Sequence, residues 1–159
     1  CIRDRNICEE TNLLMLDNFI QHGNTTCLWH SIAVAYYAYC FSQFFNIKCD
    51  EKSLIYGALL HDYFLYDWHI HDKSHRFHGF KHPKTALNNA LKHYSLNKRE
   101  IDIIKNHMFP LTLVPPHHRE SILVNLSDKI CSSLETFNGH MYKNLKENTS
   151  LYPNKSTEN

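Results

Sequence analysis

The chain has 159 residues, 43% of them hydrophobic and 13% aromatic, a composition that suits one folded domain and excludes a disordered chain. Seventeen Lys and Arg residues nearly balance 16 Asp and Glu residues, so no net field attracts a nucleic-acid duplex or an anionic membrane. Only 4 Gly and 5 Pro are available for turns, which favours helices. We therefore expect an all-α protein with a single domain over residues 1–159.

The spacing of apolar residues predicts helices in chain order over residues 9–20, 30–45, 50–64, 83–94, 98–108 and 118–137. Asp50 is a suitable N-cap, and Asn97 with Glu100 has the form of a capping box. Residues 21–27 are predicted to form a loop. The stretch 66–81 breaks the helical period and is predicted to be a loop over the functional site.

Two further features concern the later helices. Pro83 suits the first turn of the helix that it begins. The last helix is predicted to turn an apolar stripe towards the core, made of Ile122, Leu123, Leu126, Ile130 and Leu134. The domain core is expected over about residues 20–137, and the polar tail, residues 139–159, is expected to be partly disordered.

Histidine is unusually frequent, with 13 residues, and imidazole is the commonest metal ligand in proteins. The six cysteines contain no C-x-x-C pair, which argues against a zinc ribbon or a thioredoxin-like motif. No secretory signal and no run of 18 apolar residues is found, so we expect a cytoplasmic protein that does not bind a membrane.

The dipeptide His61–Asp62 directly follows an apolar run, residues 57–60. An ionisable pair at the end of a buried stretch is costly unless a cation compensates its charge. An ordinary helix end near solvent explains the dipeptide alone equally well, so the rest of the chain has to decide between the two.

Four more imidazole or carboxylate side chains lie near helix ends or on an apolar helix side: His30, His82, His107 and Asp128. The ordered set His…His-Asp…His…His…Asp resembles the HD-domain superfamily of metal-dependent phosphohydrolases. The stretches HSIAVAYY, GALLHDYFLYDW, HGFKHPKTAL, NHMFPL and RESILVNLSDKICS are similar to small bacterial members. The resemblance covers about residues 20–137.

The resemblance implies an HD-domain helical bundle with a metal site at its centre. Its basic metal site corresponds to His30, His61, Asp62 and Asp128. His82 and His107 correspond to the two extra histidines of the dinuclear branch, in which the Asp of the HD pair bridges both ions. Mixed nitrogen and oxygen ligation suits Fe, Mn, Co, Ni or Zn. His82 as a turn residue and His107 as a histidine at a helix C-terminus are the simpler alternatives, and they would leave one ion.

The expected function is a phosphatase or phosphodiesterase that acts on a nucleotide or another small phosphate ester through metal-activated water. Asp62 and Lys129 are the predicted catalytic residues. Arg119 is predicted to bind phosphate, together with a lid made of Lys73, His75, Arg76 and His78. A solvated lysine, a capping arginine and an ordinary polar loop are the structural alternatives for these residues.

Two other functions remain open. Some proteins with the same six ligands resemble di-iron oxygenases, whose ligand types overlap with those of the hydrolases. A non-catalytic nucleotide-binding sensor is the third possibility, although the complete ligand set argues against a degenerate site.

Overall fold

The computed structural model describes residues 11–65 and 78–137, and these residues are mostly helical. The elements in chain order are α1 (Thr11–Leu14), a 3₁₀ turn (Met15–Asn18), β1 (Ile20–His22), β2 (Thr25–Thr26), α2 (Cys27–Phe44), α3 (Glu51–Leu60), α4 (His78–His93), α5 (Lys98–Asn106) and α6 (Arg119–Phe137). The two strands pair antiparallel and form the one sheet of the described residues. Among the helices of this part of the chain, none is long and apolar enough to span a bilayer.

Helix α2 lies at the centre of the bundle and packs against both α3 and α6. Its first three turns are buried on several sides, from Cys27 to Ala38, whereas Phe44 at its far end is 82% exposed. Helix α5 packs against α3, α4 and α6. The buried end of α2 and the facing ends of the other helices therefore surround one region.

Two of the predicted helix caps are confirmed. The Asp50 carboxylate accepts a hydrogen bond from the Ser53 amide at 3.1 Å, at the start of α3. At the start of α5, the Asn97 side chain accepts from the Glu100 amide at 3.1 Å, and the Glu100 carboxylate accepts from the Asn97 amide at 2.8 Å. These caps satisfy amide groups that the helices leave unpaired and so define where each helix begins.

The segment before α2 differs from its prediction. Instead of a helix over 9–20 and a loop over 21–27, it forms α1, the 3₁₀ turn and the hairpin. Helical spacing still places Leu13 and Leu16 in the core, but the backbone becomes extended at Phe19. Gly23, at φ 55°, provides the left-handed conformation that the hairpin turn requires.

Helix α4 begins at His78, five residues before Pro83, so the prediction that Pro83 starts the helix is wrong. A proline within a helix lacks the N–H that would bond to the residue four before it. Here that residue is Gly79, in the first turn, so only one bond near the helix start is lost.

The apolar stripe predicted for α6 is mostly on the outside. Leu123 is buried, but Ile122, Leu126 and Leu134 are 53%, 47% and 42% exposed. The buried face carries the polar residues Ser121, Ser127, Asp128 and Glu135 in addition to Leu123, Val124 and Cys131. The helix is oriented in this way because its inner face meets polar groups from α2 and from the end of α3.

Candidate metal centre

The structure brings all six predicted metal ligands into one buried cluster. Each comes from a helix or from the turn that ends one, and none is more than 7% exposed. The set consists of His30 on α2, His61 and Asp62 after α3, His82 on α4, His107 after α5 and Asp128 on α6. Residues that are up to 98 positions apart in the chain therefore meet at one point.

Asp62 lies between two pairs of histidines. Its Oδ2 atom is 3.7 Å from His30 Nε2 and 3.4 Å from His61 Nε2. Its Oδ1 atom is 3.3 Å from His82 Nε2 and 3.5 Å from His107 Nε2. Each oxygen of this one carboxylate thus faces a different histidine pair.

The cluster divides into two halves that share Asp62. In the first half, the ligand atoms of His30, His61 and Asp128 all lie within 4.8 Å of one another, and in the second half the same holds for Asp62, His82 and His107. Asp128 Oδ1 is 3.1 Å from His30 Nε2 and 3.8 Å from His61 Nε2. Each half can hold a metal ion.

The ring orientation of two histidines is set by main-chain carbonyls. His61 Nδ1 donates to the Ala58 carbonyl at 2.6 Å, and His107 Nδ1 donates to the Ile104 carbonyl at 2.9 Å. Both carbonyls lie in the last turn of a helix, where they lack an intrahelical partner. Since a carbonyl can only accept, the proton is on Nδ1 of each neutral ring, and the Nε2 lone pair points into the cluster.

Two residues that hold the cluster in place have no counterpart in the sequence prediction. Gln21 Nε2 donates to Asp62 Oδ2 at 2.6 Å, and the side-chain Oε1 atom of Gln21 accepts from Cys27 Sγ at 3.3 Å. Glu135 Oε2 lies 2.8 Å from His30 Nδ1. Gln21 lies in the unpredicted hairpin and Glu135 near the end of a long helix, so no local spacing indicates either contact.

Buried polar atoms in the cluster are left without a hydrogen bond. Within the residues that the structure describes, His61 Nε2 and Asp62 Oδ1 are buried and have no hydrogen-bond partner. The ion pairs of Asp62 and Asp128 in this part of the chain are all with histidines, and none is with Lys or Arg. Lone pairs that converge in this way are costly unless a cation occupies the space between them, so the donor set fits a metal ion.

The electrostatics around His30 and His61 favour positive charge. Burial lowers the pKa of His61, but the carboxylates of Asp62 and Asp128 together outweigh burial and hold that pKa well above its ordinary value. For His30, hydrogen bonds to Asp128 and Glu135 likewise outweigh burial and raise the pKa to about 9. Burial raises the pKa of Asp62, yet its histidine neighbours hold it well below its ordinary value.

The remaining predicted site residues are placed differently. Lys129 is half-buried, and its Nζ donates to the main-chain carbonyls of His107, at 3.4 Å, and of Asn125, at 3.3 Å. Burial lowers the pKa of this amine. The lysine therefore contacts the backbone of a ligand residue and is not paired with a carboxylate of the cluster.

Arg119 lies apart from the six ligands. It is at the exposed start of α6, where its Nη1 donates to the Lys48 carbonyl at 3.2 Å. Nine residues separate it from Asp128, which is about 14 Å along a helix. The predicted lid residues Lys73, His75 and Arg76 and the polar tail lie outside the described residues.

Comparisons with protein-family models, with curated proteins and with solved structures find no match for this chain.

Proposed function

We propose that the chain is an HD-type phosphohydrolase with two divalent metal ions, a phosphatase or phosphodiesterase that acts on a nucleotide or another small phosphate ester. The observation that carries the proposal is the position of Asp62, whose two oxygens face separate histidine pairs. The order of the His and Asp ligands resembles that of HD-domain proteins, and we propose as part of the same hypothesis that the fold is an HD-type helical bundle. The preference for hydrolysis over oxygen chemistry rests on that resemblance.

One ion would be held by His30, His61 and Asp128 and a second by His82 and His107, and Asp62 could serve as a ligand to both. When bound, such ions activate water and polarise a phosphoryl oxygen. Nitrogen and oxygen donors suit Fe, Mn, Co, Ni or Zn.

The protein's own contribution is to hold these donors rigidly and away from water. The helix-end carbonyls of Ala58 and Ile104 orient two of the rings, and Gln21 orients the shared carboxylate. Because the ligands are nearly inaccessible to solvent, charge that develops on a bound phosphate interacts with them in a medium of low dielectric constant. Preorganisation of this kind lowers the activation barrier of the hydrolysis, because the polar groups of the protein need not reorient during the reaction.

The proposal is tested by metal analysis of anaerobically purified protein, combined with a phosphatase and phosphodiesterase screen with added Mn²⁺ or Co²⁺. D62A is expected to lose bound metal and activity together. H93A is the matched control, since His93 is an exposed histidine outside the cluster, and it is expected to keep both.

Each outcome of the screen has a definite meaning. Anaerobic turnover that D62A abolishes supports hydrolysis. Turnover that requires iron and consumes O₂ would replace hydrolysis with the oxygenase alternative. Retained turnover in metal-free D62A, or nucleotide binding without turnover by metal-loaded protein, would overturn the proposed activity.

A further inference from the structure

Glu135 is a buried carboxylate with one partner in the cluster. It lies on α6 two turns after Asp128, on the same inner face, and is fully buried. Its Oε2 atom is 2.8 Å from His30 Nδ1. Its Oε1 atom is buried too and, in the described part of the chain, has no hydrogen-bond partner.

Full burial is unfavourable for the carboxylate of a glutamate side chain. Removing a carboxylate from water is costly, and a partner is needed to compensate. Within the part of the chain that the structure describes, the His30 ring is that partner. A long apolar side chain would fill the same space on α6 without this cost, so the contact with His30 accounts for the acidic group.

The contact distinguishes His30 from the other oriented ligands. His61 and His107 donate their Nδ1 protons to neutral main-chain carbonyls, whereas His30 faces a carboxylate. A carboxylate that accepts from Nδ1–H leaves Nε2 as the ligating atom and makes the ring a stronger donor to metal. His30 Nε2 is the atom that faces Asp128 and Asp62.

The first half therefore carries more negative charge than the second. It has Asp128 as a ligand and Glu135 behind His30, and it shares Asp62. The second half has two imidazoles and the other oxygen of Asp62. A divalent cation is held more tightly where more carboxylates surround it.

We propose that Glu135 is a positioning residue that selects Nε2 of His30 as the metal-ligating nitrogen and makes the first half the tighter metal site. This inference rests on the proposed metal centre. Glu135 would thus influence metal binding without being a ligand itself.

The test measures the affinity of the metal-free chain for Co²⁺ by competition with a chromophoric chelator, together with the visible absorption of the bound Co²⁺. The measurements are repeated in the H82A variant, in which the second half has lost a ligand and the first half still has its complete set. E135L is expected to weaken binding at the first half by roughly 10- to 100-fold. Binding at the second half is expected to change little.

Two further variants separate a metal-positioning role from a structural one. E135Q keeps an oxygen that can accept from His30 Nδ1–H, so a smaller loss is expected, roughly threefold to tenfold, with a shifted Co²⁺ spectrum. E120Q removes another buried carboxylate of α6, one that accepts from the Asp50 amide at 2.6 Å outside the cluster. It is expected to lower stability but to leave Co²⁺ affinity unchanged.

The outcomes are distinguishable. If the wild-type chain binds no divalent metal, the metal centre and this inference both fail. If the wild type binds metal and E135L and E135Q bind it equally well, the inference alone is wrong. An equal loss in E120Q would show that the effect is general destabilisation, which also overturns it, and E135Q decides the matter if E135L does not fold.

Discussion

Gly57 and Ile103 are in direct contact where α3 crosses α5, and a Cβ atom on Gly57 would overlap the Ile103 side chain. One helical turn after each of them comes a candidate ligand, His61 after Gly57 and His107 after Ile103. The centroids of these two imidazole rings are 5.0 Å apart. Because the glycine allows the helices to approach closely, it also determines the distance between ligands of the two halves.

Replacing Gly57 is expected to destabilise the chain and to weaken metal binding. Overpacking costs about 1–3 kcal/mol, and the better helix propensity of alanine offsets about 1 kcal/mol of it. G57A is therefore expected to lower the free energy of unfolding by about 1 kcal/mol, and G57V by more. Urea unfolding measures the stability, and a Co²⁺ titration measures the affinity.

I103V is the matched second change, because it removes the Cδ1 methyl group that lies nearest to the position of the added Cβ. In a double-mutant cycle, G57A with I103V is expected to be more stable than the sum of the single effects. Additive effects would mean that this contact does not limit the approach of α3 to α5.

The two halves of the cluster are expected to lose their ions separately. H82A and H107A each remove a ligand of the second half. Each variant is expected to bind one ion at the first half, with nearly the affinity that this half has in the wild type. H30A removes a ligand of the first half and is expected to lose that tight ion. Metal analysis after gel filtration measures the stoichiometry. If H82A and H30A lose metal equally, the division into halves is wrong.

Lys129 is expected to act on the position of His107. Its amine donates to the His107 carbonyl, so K129M is expected to lower the free energy of unfolding by about 0.5–1.5 kcal/mol and to weaken the second ion. The KM for a phosphate ester should change little once the enzyme is saturated with metal. A tenfold rise in KM without metal loss would instead support the catalytic role that the sequence predicts for Lys129, with the amine in contact with the phosphate.

Asp102 is expected to make stability depend on pH in the acid range. Its carboxylate accepts from the Ser121 hydroxyl and from the amides of His117 and His118 at 2.9 and 3.0 Å. Burial raises the pKa of this carboxyl, but these hydrogen bonds outweigh burial and lower it to about 2. Because the pKa of Asp102 is lower in the folded chain, its ionised carboxylate stabilises the fold fully above the pKa of the unfolded chain, which is near 4. This stabilisation is lost as the pH falls towards 2.

The corresponding variant is D102N, which does not ionise. The wild type is expected to be more stable than D102N by about 1–2 kcal/mol at pH 6, after allowance for solvent screening. That difference should shrink as the pH falls from 4 to 2. Urea unfolding of both proteins across this range measures it. A difference that stays constant with pH would show that ionised Asp102 does not stabilise the fold.

The six candidate ligands could be predicted because their order along the chain resembles the pattern of a known superfamily, and that pattern does not depend on exact helix bounds. The caps at Asp50 and Asn97 could be predicted because a cap is a local interaction over three residues. Both kinds of information are present in a short stretch or in a simple order of residues.

The orientation of α6 could not be predicted in the same way. Apolar spacing favours burial of Ile122 and Leu126, but these side chains face outwards. The inner face is instead determined by Asp128 and Glu135, whose partners come from α2, about a hundred residues away. A polar side chain is buried when a distant partner compensates it, and helical periodicity contains no information about that partner.

Asp62 is the one carboxylate that we propose to be shared by two metal ions. The most direct test is low-temperature electron paramagnetic resonance of the chain loaded with two equivalents of Mn²⁺. We predict the signal of two exchange-coupled ions in the wild type, and its loss in D62A. The signal of isolated Mn²⁺ ions in the wild type at this loading, or an unchanged coupled signal in D62A, would contradict the claim.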